Sequence, residues 1–203
     1  MNPLPALAVV VALTAAPVAR AIEEPRYAVE QQLDAVEVRA YAPYVVAEVV
    51  VPGPAEDAGN QGFRILAAYI FGKNKGERKI AMTAPVTQTA APVKIEMTAP
   101  VVQTAADGGF AVRFMMPSGF TLDTLPEPID PAIRLKTEAG GRFAVIRYSG
   151  FWSQANYDRQ LQALREAIEA AGLHSTGAPI WARFDPPWTP WFMRRNEIWL
   201  RLS

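Results

Sequence analysis

Short hydrophobic runs alternate with polar residues over the part of the chain that follows residue 26. Three of these runs are rich in valine and tyrosine, and they lie at residues 27–32, 36–41 and 44–51. Asp34 and Pro43 separate the runs, and both residue types favour turns. Alternation with a period of two, broken by turn residues, predicts antiparallel strands.

The pattern then changes to the spacing of a helix. Apolar residues recur at intervals of three and four, at Phe63, Leu66, Ala67 and Ile70. Asn60 is suited to cap the first turn and Gly72 to end the last, so a helix is predicted between them. Arg64 and Tyr69 lie on its other face, and a basic loop follows at residues 73–79.

The second half of the chain repeats this order. After a strand at 109–116 and a proline-rich acidic connector at 123–131, strands are predicted at 133–138, 142–149, 180–184 and 197–202. A second helix is predicted by one apolar face that ends before Gly172 and consists of Tyr157, Leu161, Leu164 and Ile168. Two copies of this order predict a pseudo-twofold α+β domain, in which two helices pack on a curved antiparallel sheet.

Composition narrows the possible functions. The chain has 203 residues, 50% of them hydrophobic, with 20 acidic and 20 basic side chains and no cysteine. Zero net charge argues against attraction to nucleic acid or to an anionic membrane, because such binding needs an excess of basic side chains. The absence of cysteine excludes disulfide bonds, thiolate chemistry and a thiolate ligand to haem iron.

The first 21 residues have the features of a signal peptide. An uncharged apolar run at residues 6–16 precedes Ala19, Arg20 and Ala21, which form the small-x-small pattern of a cleavage site. The mature chain is then expected to begin at Ile22 and to be exported to the periplasm or secreted. An uncleaved anchor is the alternative, but the whole uncharged stretch at residues 3–19 is short for a membrane span and contains three prolines. No stable span is expected after cleavage.

One segment occurs twice, as IAMTAPVTQTA from Ile80 and as IEMTAPVVQTA from Ile95. Methionine and valine fill cores, and proline lacks an amide proton, which suits the edge of a sheet or a bulge. The repeated MTAPV is therefore interpreted as structural, with direct ligand contact as the alternative.

The chain resembles the SOUL family of haem-binding proteins. The resemblance depends on the two MTAPV segments and on FMMPSGFTLDTLPEPIDP, FAVIRYSGFWSQANY and ARFDPPWTPWFMRRNEIWL, which cover nearly all of residues 22–203. It implies a distorted antiparallel β-barrel with two flanking helices. It also implies non-covalent binding of haem or another tetrapyrrole, without catalysis, in a hydrophobic cleft beside the first helix.

Carried onto this chain, the resemblance places the ligand contacts on the first helix. They are Phe63, Arg64, Leu66, Ala67, Tyr69, Ile70, Phe71 and Lys73. The loop at residues 186–195 would form the opposite wall. Trp181, Trp188, Trp191 and Trp199 cluster in and around this loop, where they would offer aromatic faces to a planar ligand or else plug the core. Haem needs apolar walls and cations for its propionates, and Arg64, Lys73 and Lys75 are candidates for the latter.

The iron ligand stays unassigned. The only histidine, His174, follows the second helix and does not match the first-helix cleft. The other candidates are Met82, Met97, Met115, Met116 and Tyr69, and binding by apolar contact alone is a further possibility.

A different kind of binder and an enzyme are the alternative classes of function. The same cleft could hold another apolar small molecule or a partner protein, and transport, buffering and sensing are all open. An enzyme is not expected, because one histidine and no cysteine leave no multi-histidine metal site and no Cys-His pair. No GxSxG motif surrounds Ser118, Ser149 or Ser153.

Overall fold

The computed structural model describes residues 23–91, 109–185 and 188–203. Its strands are β1 Tyr27–Leu33, β2 Val36–Tyr41, β3 Tyr44–Pro52, β4 Val86–Ala91, β5 Gly109–Met115, β6 Arg134–Glu138, β7 Gly141–Tyr148, β8 Ser175–Arg183 and β9 Asn196–Leu202. Helix α1 is Ala55–Ile70 and helix α2 is Gln154–Ala170. The expected signal peptide and the second MTAPV, at 97–101, lie outside the described residues.

The described strands form one antiparallel sheet in the order β1-β2-β7-β9-β8-β4-β5-β3-β6. Exchanging β2 with β6, β3 with β7, β4 with β8 and β5 with β9 reproduces the order of the last eight strands in reverse. The pseudo-twofold α+β fold with two flanking helices is therefore confirmed. The strand pairing ends at β1 and β6 without joining them, so the sheet is an open form of the distorted barrel.

Helix α1 begins earlier than predicted, because its N-cap is Pro54 and not Asn60. Pro54 precedes its first residue without a side-chain cap. The helix contains two glycines, Gly59 and Gly62, although glycine is unfavourable in a helix interior. Gly62 is required by packing, because a Cβ there would lie 2.6 Å from the Cβ of Val112 on β5. The helix ends as predicted before Gly72, which has φ +116°.

Helix α2 follows the prediction closely. Ser153 caps its first turn by accepting a hydrogen bond from the amide of Asn156. Tyr157, Leu164 and Ile168 are buried against the sheet.

Each helix covers one half of the sheet. The α1 core contains Leu66 and Ile70 together with side chains of β3 and β5, whereas the α2 core contains Leu164 and side chains of β2, β7 and β9. A third cluster, around Trp199 and Phe143, lies on the opposite face of the sheet. Neither described helix has the length and apolar character needed to cross a membrane.

Candidate functional site

A groove runs between the two helices over the middle of the sheet. Because α1 packs on β3 and β5 while α2 packs on β7 and β9, the central strands β4 and β8 lie between the helices. Val86 of β4 pairs in register with Phe114 on one side and with Arg183 of β8 on the other. Val86 and Arg183 therefore form the floor of this interhelical groove, with Phe63 of α1 and Trp152 before α2 as its walls.

The α1 wall of the groove is apolar. The ring of Phe63 packs edge-on against the ring of Phe114, with 5.3 Å between their centroids. One turn earlier, a Cβ at Gly59 would lie 3.7 Å from Nη1 of Arg183. The Arg183 guanidinium therefore lies at van der Waals distance from this part of the helix, and Phe63 occupies the next turn on the same face.

Two cations face the opposite wall. The guanidinium groups of Arg183 and Arg194 lie over the ring of Trp152, at 4.5 and 4.4 Å from its centroid. The Trp152 indole is held in place because its Nε1 donates a hydrogen bond of 2.7 Å to Oδ1 of Asn196. The geometry is that of cation–π contacts, which keep positive charge beside an apolar surface.

Beyond Trp152 the surface is aromatic and exposed. Five side chains form this aromatic rim: Phe151, Trp188, Trp191, Phe192 and Met193. Phe151 stacks on Trp191 at 5.3 Å, and the amide of Gly150 donates a hydrogen bond of 2.9 Å to the Trp191 carbonyl. Trp188 is 82% exposed and Met193 is 65% exposed. So large an exposed apolar cluster is typical of a binding surface.

The predicted first-helix contacts divide between core and surface, as the helical period requires. Leu66, Tyr69 and Ile70 are buried, and the Tyr69 hydroxyl donates a hydrogen bond of 2.8 Å to the carbonyl of Pro126. Ala67 is half-buried, whereas Phe63, Arg64, Phe71 and Lys73 are exposed. In this conformation a ligand on α1 would contact the exposed members and not the buried three.

The candidate cations differ in whether they already have an ion-pair partner. Lys75 pairs with Glu127 at 2.8 Å, and Arg195 pairs with Glu24 and Glu197, each at 2.9 Å. In the described part of the chain, neither Arg64 nor Lys73 has an ion-pair partner. These two remain able to meet an anionic group.

The candidate iron ligands lie in different surroundings. Met115 and Met116 are buried, whereas Met82 is 39% exposed. His174 is exposed and lies beside the end of β9, where its carbonyl accepts a hydrogen bond from the Ser203 amide. The 17 residues of α2, about 25 Å long, separate it from Trp152. Among the described residues, no group of three or more His, Asp or Glu side chains is placed to hold a metal ion.

The first MTAPV shapes the centre of the sheet, as its structural interpretation expected. The Thr83 hydroxyl donates a hydrogen bond to the carbonyl of Met115. Two details of the prediction were wrong, however. Met82 is partly exposed and does not fill the core, and Pro85 is not on an edge strand. It precedes β4, an interior strand, where its missing amide proton costs no ladder hydrogen bond.

A family model described as SOUL heme-binding protein matches residues 22–201. The chain belongs to this family. Among SOUL relatives, heme-binding protein 1 of Bos taurus is 26% identical over 156 residues, 74% of this chain and 74% of that protein. Heme-binding protein 2 of Homo sapiens is 27% identical over 188 residues, 90% of this chain and 87% of that protein. The predicted family membership is confirmed.

Solved structures with low sequence identity to this chain share its fold. The C-terminal domain of EcmrR matches with a TM-score of 0.59 at 10% identity, over 83% of this chain and 96% of that one. A hydrolase from Listeria innocua matches with a TM-score of 0.55 at 13% identity, over 83% and 91% of the two chains. At these identities the likeness shows the fold alone.

Sequence analysis missed several groove residues of this SOUL protein. Trp152, Arg183 and Phe151 were not among the predicted contacts, whereas Met193 lies in the loop at 186–195 that was predicted to form the opposite wall. The prolines in that loop disfavour a regular strand or helix, so its aromatic side chains have no periodic face to bury. The four tryptophans named from sequence accordingly divide: Trp199 is buried, Trp181 is half-buried against Tyr157, and Trp188 and Trp191 are exposed.

Proposed function

We propose that this protein binds haem or a related tetrapyrrole in the interhelical groove, with the aromatic rim as one wall and the exposed face of α1 as the other. The observation that carries the proposal is the exposed apolar surface on both sides of the groove, in a chain that belongs to a family of heme-binding proteins. The crevice between Trp152 and Arg183 has a volume of about 10 Å³, which is too small for a tetrapyrrole, so the ring would lie in the open groove.

The residues of the interhelical groove fit the chemistry of a tetrapyrrole. A tetrapyrrole is a flat apolar ring, and the rings of Phe63 and Trp191 offer apolar surface for it. Its propionates need cations at the edge of the groove. Arg64 extends from α1 beside Phe63, and Arg194 lies beside the aromatic rim.

Titration with hemin, followed by the Soret band, tests the proposal. Wild-type protein is expected to give a saturable shift. Trp191→Ala and Arg64→Gln should each weaken binding by about tenfold, the effect of losing roughly 1.4 kcal/mol of contact energy. Val29→Ala and Arg134→Gln are the matched controls, since both side chains are exposed on outer strands of the sheet.

A parallel titration with iron-free protoporphyrin IX separates ring contact from iron ligation. Equal affinity for the two porphyrins would mean that apolar contact and propionate pairing supply the binding. A saturable shift that is unchanged in both groove variants would place the site elsewhere. No shift at micromolar hemin would contradict tetrapyrrole binding and favour another apolar small molecule or a protein partner in the groove.

The proposed role is that of an exported, non-catalytic carrier, buffer or sensor. The features of a signal peptide in residues 1–21 support export. N-terminal sequencing of the protein from the periplasm or the medium tests it, and a chain that begins at Ile22 is the expected result.

A further inference from the structure

A second concavity lies on the face of the sheet away from the helices. It has a volume of about 250 Å³ and is lined by residues from both pseudo-symmetric halves, including Tyr44, Arg113, Phe143 and Arg201. None of the eight predicted first-helix contacts lines it. The volume is just below the ~300 Å³ at which drug-sized pockets begin, so it suits a molecule of one or two rings. A tetrapyrrole is larger than that.

The two halves of this face have different chemistry despite their matching backbones. Glu48 faces Arg113 in the β3–β5 register, and Val145 faces Trp199 in the equivalent β7–β9 register. One side of the concavity is therefore charged and the other is aromatic. A ligand that fills it would meet both.

On the charged side, most charges neutralise one another. Glu48 forms ion pairs with Arg113 at 2.6 Å and with Lys136 at 2.7 Å. Glu138 lies 3.2 Å from Arg113 and 3.0 Å from Lys136. Two carboxylates and two cations thus form a neutral quartet at the base of the concavity.

Arg201 is an additional cation on this face. Its guanidinium lies over the ring of Phe143, 4.6 Å from the centroid, and no described carboxylate is at ion-pair distance from it. Gly141 gives it room, because a Cβ there would lie 2.6 Å from Nη1 of Arg201. The concavity therefore has one more positive than negative charge beside an aromatic ring.

Tyr44 adds a neutral polar group at the same place. Burial raises the pKa of its hydroxyl to about 12, and the nearby charges of Glu138, Arg113 and Arg201 also act on it. The Tyr44 hydroxyl makes no hydrogen bond to residues 23–91, 109–185 or 188–203, so its donor is available to a ligand.

We infer that this concavity is a second ligand site, distinct from the interhelical groove, for a small aromatic carboxylate. The carboxylate pairs with Arg201 and accepts a hydrogen bond from the Tyr44 hydroxyl. The ring of the ligand lies against Phe143 and the apolar side of the concavity.

Isothermal titration calorimetry with three probes tests the inference. Benzoate, its neutral analogue benzamide and the cation benzylamine have the same ring and differ in charge. Benzoate is expected to bind with a dissociation constant below about 1 mM, and the other two at least about tenfold more weakly. Equal binding of benzamide, or no binding of benzoate, would overturn the inference.

Variants then locate the probe. Arg201→Gln and Tyr44→Phe are expected to weaken benzoate binding, the first by about tenfold or more and the second by less. Arg142→Gln is the matched control, because Arg142 precedes Phe143 on β7, points to the opposite face and pairs with Glu30. Loss of benzoate binding in the control, or its retention in Arg201→Gln, would refute the assignment.

A hemin titration of Arg201→Gln keeps this test separate from the proposed function. An unchanged Soret titration in a variant that no longer binds benzoate is the expected result. Simultaneous loss of both ligands would show that they share one site, which would overturn the distinction between concavity and groove.

Discussion

The guanidinium of Arg39 on β2 and the carboxylate of Glu197 on β9 form an ion pair of 2.9 Å in the interior of the protein. The Glu197 side chain is completely buried, and it also accepts a hydrogen bond of 2.7 Å from Nε1 of Trp199. β7 separates the two strands, so the pair connects residues across an intervening strand.

Removing the Glu197 carboxylate should be strongly destabilising. Glu197→Leu leaves the buried Arg39 guanidinium with only its partly exposed partner Glu37, and removing one partner of a buried pair costs about 3–5 kcal/mol. Urea denaturation should show this decrease in the free energy of unfolding. The control is Glu30→Leu, which breaks the exposed pair with Arg142 and should cost under ~1 kcal/mol. Equal losses of unfolding free energy in the two variants would mean that the buried pair stabilises the protein no more than the exposed pair does.

Replacing Tyr69 should change how stability depends on alkaline pH. Burial raises the pKa of Tyr69 to about 12, above the value of about 10 expected in the unfolded chain. Its contribution is therefore fully present below pH 10 and is lost as the pH rises towards 12. Tyr69→Phe should lose about 1 kcal/mol at pH 7, because the Pro126 carbonyl loses its donor.

Denaturation of both proteins at pH 7 and at pH 11 measures this effect. The difference in stability between wild type and Tyr69→Phe should shrink at the higher pH. A difference that stays constant would show that folding does not raise the pKa of Tyr69, because only a pKa that differs between the folded and unfolded states makes stability depend on pH.

The two glycines inside α1 should respond differently to alanine. At Gly62 the new Cβ would lie 2.6 Å from the Val112 side chain, so the helix must move away from β5. Overpacking of this kind costs about 1–3 kcal/mol. At Gly59 the nearest atom is Oε1 of Gln88, at the end of a flexible side chain. Thermal denaturation should therefore give Gly62→Ala a lower melting temperature than Gly59→Ala. The reverse order would contradict the close packing of α1 on β5.

Glu48 should contribute to unfolding in acid. Burial alone would raise the pKa of this carboxyl, but the hydrogen bonds and charges of Lys136 and Arg113 outweigh it and the pKa is lowered. Its stabilising effect is thus present above the unfolded value of about 4.3 and is lost as the pH falls through the folded value. Between pH 6 and pH 3, Glu48→Gln should lose less stability than wild type.

Glu127→Gln is the control for this acid titration, since its pair with Lys75 is exposed. Urea midpoints measured across the pH range should leave its acid dependence close to that of wild type. A Glu48→Gln variant with the wild-type acid dependence would show that the quartet does not hold Glu48 ionised.

Much of the fold was predictable because its elements have a clear period. The alternation at 36–41 and the α2 face at Tyr157, Leu164 and Ile168 both match the structure. The start of α1 was not predictable, because Gly59 and Gly62 are unfavourable in a helix and only tertiary contacts explain them, with Gln88 of β4 at Gly59 and with Val112 of β5 at Gly62.

The candidate site was only partly predictable from sequence. A family resemblance indicates a helix, but it does not distinguish Tyr69, which is buried, from Phe63, which is exposed. The groove walls at Trp152 and the concavity at Arg201 depend on which strands are neighbours. The pairing of β4 with β8 sets that arrangement, and no local pattern encodes it.

The two halves of the sheet exchange a strand with each other. β2 is joined to β3 by a two-residue turn but pairs with β7 of the other half, and β6 leads into β7 but pairs with β3. Each half of the chain therefore contributes a strand to the other half of the sheet. If the connector between β5 and β6 were cut, neither fragment would have a whole sheet, and refolding would require the two fragments to find each other.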